Sequence, residues 1–291
     1  AIISLEKAIS LKNNYAEAYY NLGNVYNLLG ELEKSINMFT RAIDIKSDYF
    51  DAYNNLGAVY NLKKDYDKAY QNIQKAISLN PNNADAYNNL GTSALNLNKE
   101  EEAITHFNKA LSIDPASINA YSNLCGLFEK SNKIEEFENI LEKAKELKLD
   151  QFDEIKFHEA QLFSRKKDFD RSISLLKSID DNKISEKTKK DKYGLLGKDF
   201  DKVQNYKEAF KCFQKTNEFV KVSLEYKQFN PKIYQEEISE LIQSYSKTKK
   251  ISWESYNQKL SFQPVFLVGF PRSGTTLLDT ILSSHSNITT L

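Results

Sequence analysis

Apolar residues over the first two thirds of the chain recur in paired helical stripes separated by short polar turns. Tyr53, Leu56 and Tyr60 share one helical face by the i, i+3, i+7 rule, and Ala69, Ile73 and Ala76 form the facing stripe of a second helix. Lys64-Asp65 makes the turn between them. Gly57 is small where the neighbouring helix must come close. Pro81 and Pro115 follow second helices and end them, because proline cannot extend the hydrogen-bond ladder.

The pairs repeat thirty-four residues apart. Ala18-Tyr19, Ala52-Tyr53, Ala86-Tyr87 and Ala120-Tyr121 keep that step, as do Asn21-Leu22-Gly23, Asn55-Leu56-Gly57, Asn89-Leu90-Gly91 and Asn123-Leu124-Cys125. Ala8, Ala42, Ala76, Ala110 and Ala144 form a third series in the same phase. Helical hairpins are expected at about 16–49, 50–83, 84–117 and 118–151. Two degenerate units follow. In 153–186 the key places fall to Ala160, Phe163, Ser172 and Leu176. In 190–223 they fall to Tyr193, Leu196, Gly197, Phe200, Ala209 and Phe213. Residues 1–15 read as the second helix of an earlier hairpin, so the natural chain is expected to extend N-terminally. The pattern resembles the tetratricopeptide repeat, which implies an α-solenoid over 1–223.

In such a stack the first helices are expected to line a concave face. Asn21, Asn55, Asn89 and Asn123 occupy one position of those helices, and each amide can both donate to and accept from a peptide backbone. The series resembles the asparagine ladder of O-linked N-acetylglucosamine transferases. It implies a groove for a protein or peptide partner, against the alternative that these side chains cap packing niches or face water. Tyr19, Tyr53 and Tyr87 are expected in the core. Lys/Glu-rich stretches such as 99–102 and 142–148 read as solvated faces, Cys125 as a small packing residue, and His106 as without a catalytic role.

After 223 the phase is lost. Residues 224–263 read as a helical linker, with a helix starting at Asn230-Pro231 and an apolar stripe of Ile238, Leu241, Ile242 and Tyr245. The polar stretch from Ser246 to Ser261 carries Trp253 and Tyr256 as docking aromatics. Pro264-Val265-Phe266-Leu267-Val268 then has the continuous apolar character of a strand buried on both faces. Gly269 to Thr276 forms a loop, and Leu277, Leu278, Ile281 and Leu282 resume helical spacing. Such a strand–loop–helix aims backbone N–H groups at an anion. Gly274 permits close approach, Ser273, Thr275 and Thr276 add hydroxyl donors, and Arg272 adds a permanent cation. The Gly269–Gly274 spacing matches the start of a nucleotide P-loop, but position 275 is Thr where that motif needs Lys, which disfavours a phosphotransferase.

The run from Phe266 to Leu278, with Pro271-Arg272-Ser273-Gly274-Thr275-Thr276 at its centre and Ser284-His285 behind it, resembles the tyrosylprotein-sulfotransferase-like branch of the sulfotransferases. Residues 264–291 would then be the first strand, loop and helix of an α/β P-loop-like domain. The resemblance implies 3'-phosphoadenosine-5'-phosphosulfate as co-substrate, held by Arg272, Ser273, Gly274, Thr275 and Thr276. Arg272 would stabilise the leaving oxygen. The family's Glu base and its 3'-phosphate site are expected beyond Leu291, so residues 264–291 alone are expected to be inactive. The expected function is a sulfotransferase whose repeats bind a protein or other large acceptor. The alternative is a repeat scaffold without catalysis.

Composition narrows the partners. Forty Lys+Arg balance forty Asp+Glu, which argues against a nucleic-acid partner held by a general basic field. Mean hydropathy is -0.58 and no apolar run reaches membrane-span length, so no membrane partner is expected. Cys125 and Cys212, the two cysteines, lie in different hairpins without metal-type spacing. With the scattered His106, His158 and His285, this predicts free thiols, no metal and a cytoplasmic protein.

Overall fold

The computed structural model describes residues 1–222, with side chains to 220. Among them run thirteen α-helices and no strand. Helix α1 is Ile2–Leu11. Pairs follow: α2 (Ala16–Leu28) with α3 (Leu32–Ile45), α4 (Phe50–Leu62) with α5 (Tyr66–Leu79), α6 (Ala84–Asn96) with α7 (Glu100–Ile113), and α8 (Ile118–Lys130) with α9 (Ile134–Glu146). After a 3-10 turn at Leu149–Gln151 come α10 (Asp153–Arg165) with α11 (Phe169–Ser178). After a second at Asp181–Lys183 come α12 (Glu186–Lys202) with α13 (Tyr206–Val222). Each pair packs as a hairpin and stacks on the next. The first helices also touch in series, α2 on α4, α4 on α6, α6 on α8, α8 on α10 and α10 on α12. This is a helical-repeat solenoid.

Small residues on the first helices make the close packing possible. A Cβ on Gly23 would lie 2.7 Å from Phe39 Cε1, one on Gly91 2.6 Å from Phe107 Cε1, and one on Gly197 2.7 Å from Phe213 Cε1. Phe39, Ile73 and Phe107 are fully buried, as are Ala42, Ala76 and Ala110 beneath the next hairpin. Cys125 takes the glycine place in α8 and is itself fully buried, as a small packing residue should be. Burial pushes its thiol far above the usual range, so it is inert.

Each hairpin turns in the same way. Gly30, Lys64, Asn98, Asn132, Lys167 and Gln204 all take left-handed backbone angles, with φ from 56° at Asn132 to 74° at Gly30. The next N–H reaches five residues back, as in Asp65 N to Tyr60 O (2.9 Å) and Asn205 N to Phe200 O (2.8 Å). This is the Schellman closure, and it satisfies carbonyls that the helix end would leave open. Asn83, Ser117, Asp168 and Ser185 cap helix starts by accepting from the N–H three residues on.

Two expectations need correction. Tyr19, Tyr53 and Tyr87 are only half-buried, with Tyr19 packed against a core cluster. Ala18, Ala52 and Ala86 beside them are the buried positions. In the last hairpin the first helix begins at Glu186, not at 190, because Ser185 Oγ accepts from Thr188 N at 3.1 Å and starts it a turn earlier. The expected linker helix, the strand from Pro264 and the loop Arg272–Thr276 lie outside the described residues.

Candidate binding face of the first helices

The asparagine series is real as an arrangement but not uniform. Asn55 Nδ2 donates to Asn24 Oδ1 (2.9 Å) and to Tyr20 Oη (3.2 Å), and its Oδ1 accepts from Asn54 Nδ2 (3.5 Å). Both of its amide hydrogens are spent inside the fold. Asn89 Nδ2 donates to Asn54 Oδ1 (3.1 Å), and Asn123 Nδ2 to Asn88 Oδ1 (2.8 Å). Asn54 and Asn88 are buried, one residue before the expected series. They are the amides that sequence reasoning missed, and they tie each hairpin to the next. Asn61 Nδ2 adds a bond to the Asn89 carbonyl (3.3 Å).

This splits the candidates. Asn55 is a structural cross-brace. Asn89 and Asn123 each keep one N–H and the side-chain oxygen free of described partners, so they can still pair with an incoming backbone. Asn21 is exposed and makes no bond to a described residue. Asn24, one turn on, carries the network instead.

Further along, three buried polar groups sit between the last hairpins. His158 is 9% exposed, with Phe137 and Phe157 ring edges against it. Burial lowers its pKa to about 4, opposed by the bond between Nδ1 and Gln161 Oε1 at 2.8 Å. Lys192 Nζ donates to Ile179 O (2.9 Å) and to Asp181 Oδ1 (2.7 Å). Burial pushes the Asp181 pKa up, but the bonds from Lys192 and Tyr193 outweigh it and hold the carboxyl below its ordinary range.

Asp199 is 1% exposed. Ser164 Oγ and Ser172 Oγ each lie 2.6 Å from its carboxylate oxygens. Ser172 Oγ also lies 2.9 Å from Ala160 O. Ser35 makes the same bond to Gly23 O (2.8 Å) in the first full hairpin, twelve residues back in both cases. One hydroxyl has one proton. Ser172 Oγ thus lies between two acceptors, the Ala160 carbonyl and Asp199 Oδ2, and shares its one proton between them. Burial raises the Asp199 pKa, against the lowering effect of both hydroxyls.

His106 ring-packs between Tyr70 and Tyr87, as a packing residue does. Among the described residues no group of His, Cys, Asp and Glu could hold a metal, and no helix is long and apolar enough to cross a membrane. Arg272 and the loop residues 273–276 lie outside the described residues.

Comparison with known proteins agrees with the repeat. A tetratricopeptide-repeat family model matches residues 48–116, and a TPR-repeat model matches 1–30 and 23–63. A model described as the sulfotransferase family matches 264–291. No curated protein matches the chain. Among solved structures, a tetratricopeptide repeat protein from Parabacteroides merdae superposes with TM-score 0.61 at 18% identity, covering 81% of this chain and 89% of that one. The crystal structure of MamA gives 0.46 at 26% identity, over 50% and 87%. YrrB, titled a TPR protein with an unusual peptide-binding site, gives 0.47 at 19%, over 74% and 100%. The chain carries a tetratricopeptide-repeat solenoid, and its residues 264–291 match the sulfotransferase family.

Proposed function

We propose that the full-length protein transfers a sulfuryl group from 3'-phosphoadenosine-5'-phosphosulfate to a hydroxyl or amine of an acceptor held by the repeats. The observation that carries this reading is a coincidence. The family match at 264–291 falls on the segment whose donor chemistry suits a sulfated nucleotide: one cation, three hydroxyls and a glycine between them. Arg272 and the amides and hydroxyls of 273–276 would hold the 5'-phosphosulfate.

In the transfer, the acceptor heteroatom bonds to sulfur as the bond from sulfur to the bridging phosphate oxygen breaks. Adenosine 3',5'-bisphosphate leaves, and the acceptor proton passes to a carboxylate base. Charge grows on the bridging oxygen, and Arg272 would stabilise it. Thr275 in place of the P-loop lysine supports sulfuryl over phosphoryl transfer.

The repeats support the acceptor half of the reading. Asn89 and Asn123 keep unspent amide groups on successive first helices, and each can pair with a peptide backbone. The test is sulfuryl transfer from labelled donor by the full-length protein and its Arg272→Ala variant. Loss of about 3 kcal/mol or more of transition-state stabilisation, a drop of roughly a hundredfold or greater, is expected. Unchanged turnover would reject the role. A protein with repeats that bind partner peptide but with no transfer to any hydroxyl or amine acceptor would be a scaffold instead.

A further inference from the structure

A groove of about 520 Å³ opens between α8, α10, α12 and α13. Phe157, Leu195 and Phe213 are its apolar lining, and Gly194, inside α12, lines it too. That glycine has no packing reason. Gly23, Gly91 and Gly197 each have an aromatic ring where a Cβ would go, but a Cβ on Gly194 would find its nearest atoms 4.0 Å away on Thr216. Glycine inside a helix costs about 1 kcal/mol relative to alanine. What its missing side chain leaves is space in the groove.

The rim is cationic. Lys130, Arg165, Lys190 and Lys198 line it against Glu129 and Asp191. Glu129 is committed to Arg165, whose Nε donates to it at 3.0 Å. Lys130, Lys190 and Lys198 have no ion pair among the described residues. The whole chain is neutral, whereas this lining carries four cations against two acids. Lys190, Gly194 and Lys198 stand at i, i+4 and i+8, which places them in one row along α12.

We infer that this groove binds an acidic segment of a partner polypeptide, with an apolar side chain lowered over Gly194 and carboxylates on Lys190 and Lys198. The inference deepens the reading that the repeats hold a polypeptide and rests on it, but it does not require sulfuryl transfer. The spacing sets a sequence. Eight residues of helix rise span ~12 Å. An extended peptide covers that in roughly four residues, and alternate side chains point the same way. The matching motif is acid, any, apolar, any, acid.

The experiment is fluorescence anisotropy of the full 291-residue chain with a labelled peptide centred on Glu-Ser-Phe-Ser-Glu, against Lys-Ser-Phe-Ser-Lys and Glu-Ser-Ser-Ser-Glu. The acidic aromatic peptide should saturate, weaken with added salt, and outbind both controls by about tenfold or more. Lys190→Glu with Lys198→Glu, and separately Gly194→Leu, should each weaken it at least about tenfold. Equal binding of the basic peptide would overturn the proposal, as would binding unaffected by the lysine reversals. Those lysines are not core residues, so that variant keeps its fold even if Gly194→Leu does not. Loss of the peptide only on Asn89→Ala with Asn123→Ala would sink the groove while leaving polypeptide recognition by the repeats intact.

Discussion

Replacing Gly91 by alanine inserts one methyl group where the structure has none to spare. Its Cβ would lie 2.6 Å from Phe107 Cε1, 2.7 Å from Cδ1 and 3.0 Å from Cζ. Carbon atoms pack best near 3.5–4.0 Å, so the ring must retreat by about 1 Å. Phe107 is fully buried in the cluster that includes Ala94, Ala103 and Leu124, so the retreat displaces other core atoms. Overpacking of this kind costs about 1–3 kcal/mol. Helix propensity returns ~1 kcal/mol. The net loss is about 0–2 kcal/mol, or a Tm fall of roughly 0–8 °C for a domain of this size. Gly126 supplies the opposite case. It lies inside α8 with nothing within 4 Å of a Cβ, so Gly126→Ala should gain about 0.5–1 kcal/mol and raise Tm by roughly 1–4 °C. Thermal melts by far-UV circular dichroism read both. Combining Gly91→Ala with Phe107→Leu should relieve much of the clash, giving a double mutant more stable than the two singles predict. A Gly91→Ala protein that melts higher than the parent would refute the packing argument.

Asp199→Asn should stabilise the fold at neutral pH, because the amide keeps both serine bonds without desolvating a charge. The folded pKa of Asp199 is raised, so its stabilisation is complete below the ordinary value of 3.8 and is lost as pH rises through the folded value. The variant's advantage in Tm should therefore vanish near pH 3.8. His158 acts with the opposite slope. Its pKa falls from 6.5 unfolded to about 4 folded, so stability present above 6.5 is lost as pH falls towards 4, by about 3 kcal/mol. His158→Gln should flatten that loss, and in Asp199→Asn the acid loss should steepen, since the opposing group is gone. Asn55→Ala should cost about 1–3 kcal/mol by leaving Asn24 Oδ1 and Asn54 Nδ2 without their partner, whereas Asn21→Ala should leave stability within ~0.5 kcal/mol. Urea denaturation distinguishes the two.

Much of the solenoid is legible in the sequence because its physics repeats. A small residue on one helix faces a large one sixteen residues on, as Gly91 faces Phe107 and Gly23 faces Phe39, and this leaves a periodic trace. The turns do not. Lys64, Lys167 and Gln204 hold the left-handed position that Gly30 fills in the first hairpin, and nothing about Lys or Gln announces it. The bonds of the turn compel the angle, and tertiary packing absorbs its cost. The asparagine face was half legible. Asn55 and Asn89 differ only in what their neighbours are: Asn24 and Tyr20 consume the first, while the second keeps a free N–H. Nothing in the sequence marks Asp199 and Lys192 as buried, because their partners come from thirteen to thirty-five residues away.

The central proposal is that the segment from Arg272 to Thr276 receives a sulfated adenosine nucleotide. Calorimetric titration of the full-length protein with adenosine 3',5'-bisphosphate, with ATP in a parallel cell, tests it without needing the acceptor. Saturable one-site binding of the bisphosphate, much weaker heat from ATP, and loss of the isotherm on Arg272→Ala are predicted. ATP binding as tightly as the bisphosphate, or an isotherm indifferent to Arg272, would contradict it.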